Sequence, residues 1–239
     1  MLKSFSMLLC CSLLAASGLT GCTGAKPAPA GHRSTAKSSD ASPPAFGPPP
    51  TKDDRPVIVA FGDSLTAGYG APAGRSYPDY LQRDLNARGY RYRVVNAGIS
   101  GNTTKDGVSR VDRIVAMHPV VTIVAFGGND GLRGIPIADS EKNLNTILST
   151  LRKAHIKIIL GGITLPPNYG PDYIHAFDAI FHEVAEKYHV ALVPMIYKNL
   201  VSVPGTIQPD GIHPTAKGAV IVANTIWPVL KPLLRKSGD

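Results

Sequence analysis

The stretch TIVAFGGNDGLRG (122–134) runs from an apolar segment into two glycines and then directly into Asn129 and Asp130. A buried amide without partners costs about 1–3 kcal/mol, so either the fold or a ligand must satisfy an Asn at the end of an apolar strand, and the rest of the chain points to a ligand. Three other short stretches carry polar residues of the same promise: Ser64 in GDSLTAGYG, Gly101 in NAGISGNTT, and Asp210 with His213 in PDGIHPT. A Ser hydroxyl is a weak nucleophile until a base takes its proton. His213 can be that base. Asp210, three residues earlier, can accept the other ring N–H and fix the tautomer. Attack on an acyl carbon creates an oxyanion whose donors must already be in place. The candidates are the Ser64 backbone N–H, the Gly101 N–H and the Asn129 side-chain amide. On this reading the Asn129 amide has no protein partner because the oxyanion is its partner. The chemistry implied is ester hydrolysis through an acyl-enzyme on Ser64, with no metal and no cofactor.

These residues need a scaffold that brings distant parts of the chain to one place. Short apolar runs, at 56–62, 90–98, 120–128, 157–163 and 190–195, read as strands. Between them, apolar residues at helical spacing predict helices over 77–89, 104–117, 139–155 and 173–189, with a closing helix over 216–234 bent or broken by Pro228 and Pro232. Strands alternating with helices predict an α/β fold: a three-layer sandwich around a mostly parallel five-stranded sheet covered on both faces. In such sheets the ligand site lies at the carboxyl ends of the strands. Ser64, Gly101 and Asn129 each follow a predicted strand, and Asp210 and His213 precede the last helix.

The four motifs, in this order, resemble the SGNH (GDSL) hydrolase superfamily over most of residues 56–235. GGNDGLRG and LPPNYG are similar to the thioesterase I/lysophospholipase/arylesterase subgroup in particular. The resemblance implies a flavodoxin-like sheet and a carboxylic ester or thioester substrate. It maps the family's Ser, Gly, Asn and His onto Ser64, Gly101, Asn129 and His213, with Asp210 as its Asp. It also matches Gly131, Leu132, Arg133, Gly134, Ile135 and Pro136 to the subgroup's mobile loop beside the acyl site, and a monomer is expected. Two features depart from familiar patterns. GDSLT is not a G-x-S-x-G nucleophile elbow, because Thr66 stands where the second Gly would be. The amino-terminal region is also unlike that of soluble periplasmic members.

That region opens with one Lys, an apolar run and small residues ending in LTGC, which reads as a signal peptide over residues 1–21. LTGC resembles the lipobox of bacterial lipoproteins, in which the Cys, here Cys22, carries lipid and anchors the chain to a membrane without spanning it. Neither Thr23 nor Gly24 is an Asp, which points to the outer membrane, facing the periplasm. Residues 22–55 are rich in Pro, Ala and Ser and read as a disordered tether; residues 56–239 are the hydrolase domain. All three cysteines, Cys10, Cys11 and Cys22, lie in or at the end of the signal, which excludes a thiol nucleophile and a thiolate-bound metal in the domain. The formal charge of +8 is spread along the sequence without interleaved aromatics, so nucleic acid is not an expected partner.

Other polar residues receive plainer readings. Asp63 is expected to be structural and Asp130 to hold its loop. His118 and His155 flank strands. His175, His182 and His189 recur every seven residues beside Glu186, a spacing that could serve a metal but more simply describes a solvated helix side. Two further hypotheses use the same residues: deacetylation of cell-wall or other carbohydrate, and a non-catalytic lipoprotein that binds lipid or cell-wall polymer. A deep apolar groove near Ile135 and Pro166 would favour acyl chains.

Overall fold

The structure is a computed structural model that describes residues 53–200 and 202–236. The signal sequence, Cys22 and the tether up to residue 52 lie outside the described residues. The last three residues assigned to the tether are already fixed to the domain: Arg55 pairs with Asp53 at 2.6 Å and donates to the Tyr92 carbonyl.

The elements in chain order are β1 (Val57–Gly62), α1 (Ser64–Ala67), α2 (Tyr77–Ala87), β2 (Arg93–Gly98), α3 (Thr104–Val115), β3 (Val121–Ala125), α4 (Gly128–Leu132), α5 (Ile137–Lys153), β4 (Lys157–Gly161), α6 (Pro171–Tyr188), β5 (Ala191–Val193) and α7 (Ala216–Leu230). The sheet order is β2-β1-β3-β4-β5, and every pairing is parallel. Every residue of β1 and β3 is buried, which is why both read as unbroken apolar runs. β2 lies at an edge and is only partly covered, so it tolerates Arg93 and Asn96.

Right-handed crossovers place the helices. The step from β1 to β2 runs one way across the sheet and the later steps run the other way, so α2 covers one face and α3, α5 and α6 the opposite one. α2 packs with α7, and α5 packs between α3 and α6. The core between these layers includes Phe61, Phe126, Phe177, Phe181, Leu81 and Leu144, all fully buried.

Two details differ from the sequence expectation. The closing helix is not broken at Pro228, through which α7 continues, but it does end at Leu230, just before Pro232. The carbonyl that Pro228 leaves unbonded belongs to Asn224, and both residues are exposed, so water can satisfy it. Asn129 does not end a bare strand: it lies in the single turn of α4.

Candidate active site

The strand order makes β1 and β3 neighbours whose outgoing connections diverge, and this divergence opens a crevice at their carboxyl ends. Ser64 follows β1 and Asn129 follows β3, so the crevice receives both. The turn that carries Ser64 is tightly held. Asp63, 4% exposed, caps α1 by accepting from the Leu65 N–H at 3.0 Å. The Asn96 amide of β2 donates to the Thr66 carbonyl at 2.8 Å. A β-carbon at Gly98 would sit 2.2 Å from the Ala67 nitrogen, so only glycine there lets α1 lie against β2. Burial pushes the Asp63 carboxyl up to about 7, against the lowering effect of the Leu65 N–H; the nearby Asp130 charge adds to the rise.

Asp210 and His213 come from the loop before α7, which the fold lays across the same rim. His213 Nε2 is 2.9 Å from Ser64 Oγ, and His213 Nδ1 is 2.7 Å from Asp210 Oδ2. The other Asp210 oxygen accepts from the backbone N–H groups of Ile212 and His213 at 2.9 and 3.0 Å. Those two backbone bonds, His213's first, hold the Asp210 carboxyl down to about 2, so it stays ionised opposite the imidazole. The Tyr69 ring lies against the imidazole, 4.6 Å between centroids. The chain therefore contains a continuous relay, Ser64–His213–Asp210, assembled from segments 149 residues apart.

Two of the oxyanion donors expected from the sequence, Gly101 and Asn129, are brought together, since the Asn129 amide bonds the residue after Gly101, and one expectation is corrected. Gly101 has a φ of 81°, a left-handed conformation that suits glycine. Its N–H has no hydrogen-bond acceptor among the described residues, while its carbonyl accepts from Arg133 at 3.0 Å. Asn129 is not without a protein partner: its Nδ2 donates to the Asn102 carbonyl at 3.0 Å. An amide nitrogen carries two N–H groups. One is tied to the loop after β2, which fixes the plane of the amide, and the second is left for a ligand. Asp130 holds α4 down, as expected: it is 1% exposed and accepts from the Thr104 N–H and from the hydroxyls of Thr104 and Ser140.

Of the segment from Gly131 to Pro136, Gly131 and Leu132 close α4, Arg133 reaches across to Gly101, and the Leu132 carbonyl accepts from the Tyr169 hydroxyl at 2.9 Å. The pit beside Ser64 is about 10 Å³ and is lined by Leu65, Tyr69, Tyr77 and Pro214 among others. That is about the space of one water, too little for an acyl chain. His175, His182 and His189 are exposed, as a solvated helix side requires.

Two residues at the site were not foreseen. Gln208 donates from Nε2 to the carbonyls of Tyr69 and Pro214, at 2.7 and 2.9 Å, and so staples the His213 loop to the segment that follows α1. No local pattern marks it. Arg110 is 9% exposed and donates to the carbonyls of Ala97 and Gly62, the ends of β2 and β1, at 3.0 and 2.9 Å. Its guanidinium lies over Phe61 at 4.8 Å and Phe126 at 5.7 Å. A signal existed: Arg110 shares the α3 face of Gly107, Val111 and Ile114, which is buried. Burial lowers its pKa to about 10, still protonated at neutral pH.

Comparison with known proteins identifies the family and the fold. Residues 60–221 match the GDSL-like Lipase/Acylhydrolase family model. The chain is 40% identical over 179 residues to Esterase TesA of Pseudomonas aeruginosa, across 74% of this chain and 89% of that protein. It is 35% identical to Thioesterase 1/protease 1/lysophospholipase L1 of Escherichia coli (strain K12), across 74% of this chain and 85% of that one. The crystal structure of TesA superimposes with a TM-score of 0.72, covering 74% of this chain and 99% of the other. With the family model spanning more than half of its length, this chain belongs to the GDSL-like lipase/acylhydrolase family.

Proposed function

We propose that the protein is a serine esterase of carboxylic esters or thioesters, working through an acyl-enzyme on Ser64. The observation that carries this is the relay itself: Ser64 Oγ within 2.9 Å of His213 Nε2, and His213 Nδ1 within 2.7 Å of an ionised Asp210. As Ser64 Oγ attacks the acyl carbon, its proton passes to His213 Nε2. Asp210 stabilises the imidazolium and keeps its Nδ1–H in place. The carbonyl oxygen becomes an oxyanion beside the Gly101 N–H and the free N–H of Asn129. Collapse expels the alcohol or thiol, which takes the proton from His213. Water then repeats the sequence, loses its proton to His213, and releases the acid with Ser64 restored.

The relatives support an ester or thioester substrate by their names: esterase, thioesterase and lysophospholipase. A purely binding lipoprotein is disfavoured, because binding needs no hydroxyl aligned with an imidazole–carboxylate pair. The test is hydrolysis of p-nitrophenyl esters from acetate to palmitate, with Ser64→Ala as control. Turnover that vanishes in the variant is expected. A profile confined to acetate would transfer the reading to carbohydrate deacetylation, and an inert wild type that also fails to react with a fluorophosphonate would overturn it. For location, we propose a lipid on Cys22 that holds the protein at the outer membrane, facing the periplasm. LTGC supports this, and globomycin-sensitive processing with label from palmitate is its test.

A further inference from the structure

The positive charge that is scattered along the sequence is gathered in space. A groove of about 330 Å³ opens where β1 and β2 begin, lined by Arg55, Arg91, Arg235 and Lys236 with Asp54 and Tyr92. Asp53 occupies Arg55 at 2.6 Å and Arg93 at 3.7 Å. Asp54 reaches Arg91 only at 4.0 Å, with both side chains well exposed, 90% and 71%. Arg235 and Lys236 have no carboxylate within ion-pair distance among the described residues. Nearby, Arg88 lies over Trp227 at 4.6 Å and Lys236 over Tyr90 at 5.6 Å. The face therefore keeps a net positive field after its own pairs are counted.

Its position is as informative as its charge. β1 runs from this groove to the Ser64 turn. At ~3.3 Å per residue, its length places the groove roughly 20 Å from the catalytic rim, at the opposite end of the sheet. Asp53, the first described residue, belongs to this face, so the 52 residues before it join the domain here.

We propose that this basic face docks on an anionic lipid surface through headgroup phosphates and holds the catalytic rim turned away from that surface. Basic segments beside a membrane attachment are drawn to acidic lipids, each charge adding to the attraction. The choice of a membrane as the polyanion rests on the Cys22 anchor proposed above; the binding itself does not. The orientation has a substrate consequence: esters reach the site from the aqueous side, not from the leaflet that holds the anchor.

The test uses residues 46–239, a compact unit that contains the segment matching nearly the whole of the crystallised TesA chain and lacks Cys22. Co-sedimentation is measured with phosphatidylcholine vesicles with and without phosphatidylglycerol. Binding is expected only with phosphatidylglycerol, with release at ~0.5 M NaCl. The triple variant Arg91→Glu, Arg235→Glu, Lys236→Glu is expected to partition roughly a hundredfold less while hydrolysing p-nitrophenyl acetate as wild type does. Ser64→Ala is expected to bind vesicles normally, which separates failure of docking from failure of the catalytic reading. Absence of binding to phosphatidylglycerol vesicles at low salt, or equal binding by the triple variant, would overturn the proposal.

Discussion

The two ends of the sheet solve opposite problems. At the amino ends of the strands, each helix must turn into the next strand, and one device is used four times. The turns from α2, α3, α5 and α6 each contain a single left-handed residue: Gly89 (φ 76°), His118 (48°), His155 (59°) and His189 (50°). In three of them the next N–H bonds five residues back, from Tyr90 to Leu85, Ile156 to Leu151 and Val190 to Ala185. The fourth is followed by Pro119, which has no N–H to give. At the carboxyl ends nothing repeats. Ser64 sits in a capped turn, Gly101 in a left-handed bend, Asn129 in a single helical turn and His213 in a stapled loop. Repetition marks architecture, and divergence marks chemistry. His118, His155 and His189 do conformational work here, and of these only His189 belongs to the seven-residue spacing that could have served a metal; His is among the residues that tolerate the left-handed region.

The comparison is broken or sharpened by substitutions at each end. Ser64→Ala is expected to lower kcat by roughly 10⁴–10⁶ without lowering Tm; loss of both together would show that the rim carries the fold as well. Asp63 comes next. Its folded pKa of about 7 lies above the ~3.9 of an unfolded chain, so the folded protein binds the extra proton. The stability this adds is full below about pH 4 and is lost as pH rises through 7, roughly 4 kcal/mol in all. Urea unfolding at pH 4.5 and pH 8 is expected to show a smaller difference in Asp63→Asn than in wild type; parallel behaviour would remove Asp63 from the account.

Asn129→Ala is expected to cost ~10²–10³ in kcat with KM nearly unchanged. An increase in KM alone would make Asn129 a binding residue instead. Gln208→Ala touches no substrate, and by misplacing the His213 loop it is expected to lower kcat by roughly 10–10². Its positioning role predicts partial rescue by Gln208→Asn and a fluorophosphonate rate that falls in step with kcat. At the other end, His155→Gly relieves a left-handed side chain and is expected to raise stability by about 0.5–1 kcal/mol, leaving kcat alone. Any change in kcat there would mean that the two ends are coupled.

The sequence exposed most of the architecture because buried strands and amphipathic helices differ in apolar period. β1 and β3 are wholly buried and were the plainest. α4 was invisible: GGNDGL has three glycines and no apolar period, and its turn is held by Asp130 bonded to Thr104 and Ser140, far away in sequence. The reactive residues were legible because each follows a strand or precedes the last helix. Their supports were not. Gln208 and Arg110 act on backbone carbonyls of other segments, and the Asn102 carbonyl that orients Asn129 leaves no side-chain signature. The basic groove escaped for the same reason, since Arg55, Arg91 and Arg235 become neighbours only when β1, β2 and the end of the chain meet.

One wall of that groove carries Asp54 and another carries Lys236, so the beginning and the end of the folded segment lie side by side. A short peptide could join them, and the chain could be opened elsewhere, at the exposed Gly205 for instance. The resulting circular permutant would read Asp210 and His213 before Ser64. The hydrolytic machinery depends on where the groups meet and not on the order in which they are synthesised, so such a rearranged enzyme should still turn over its ester.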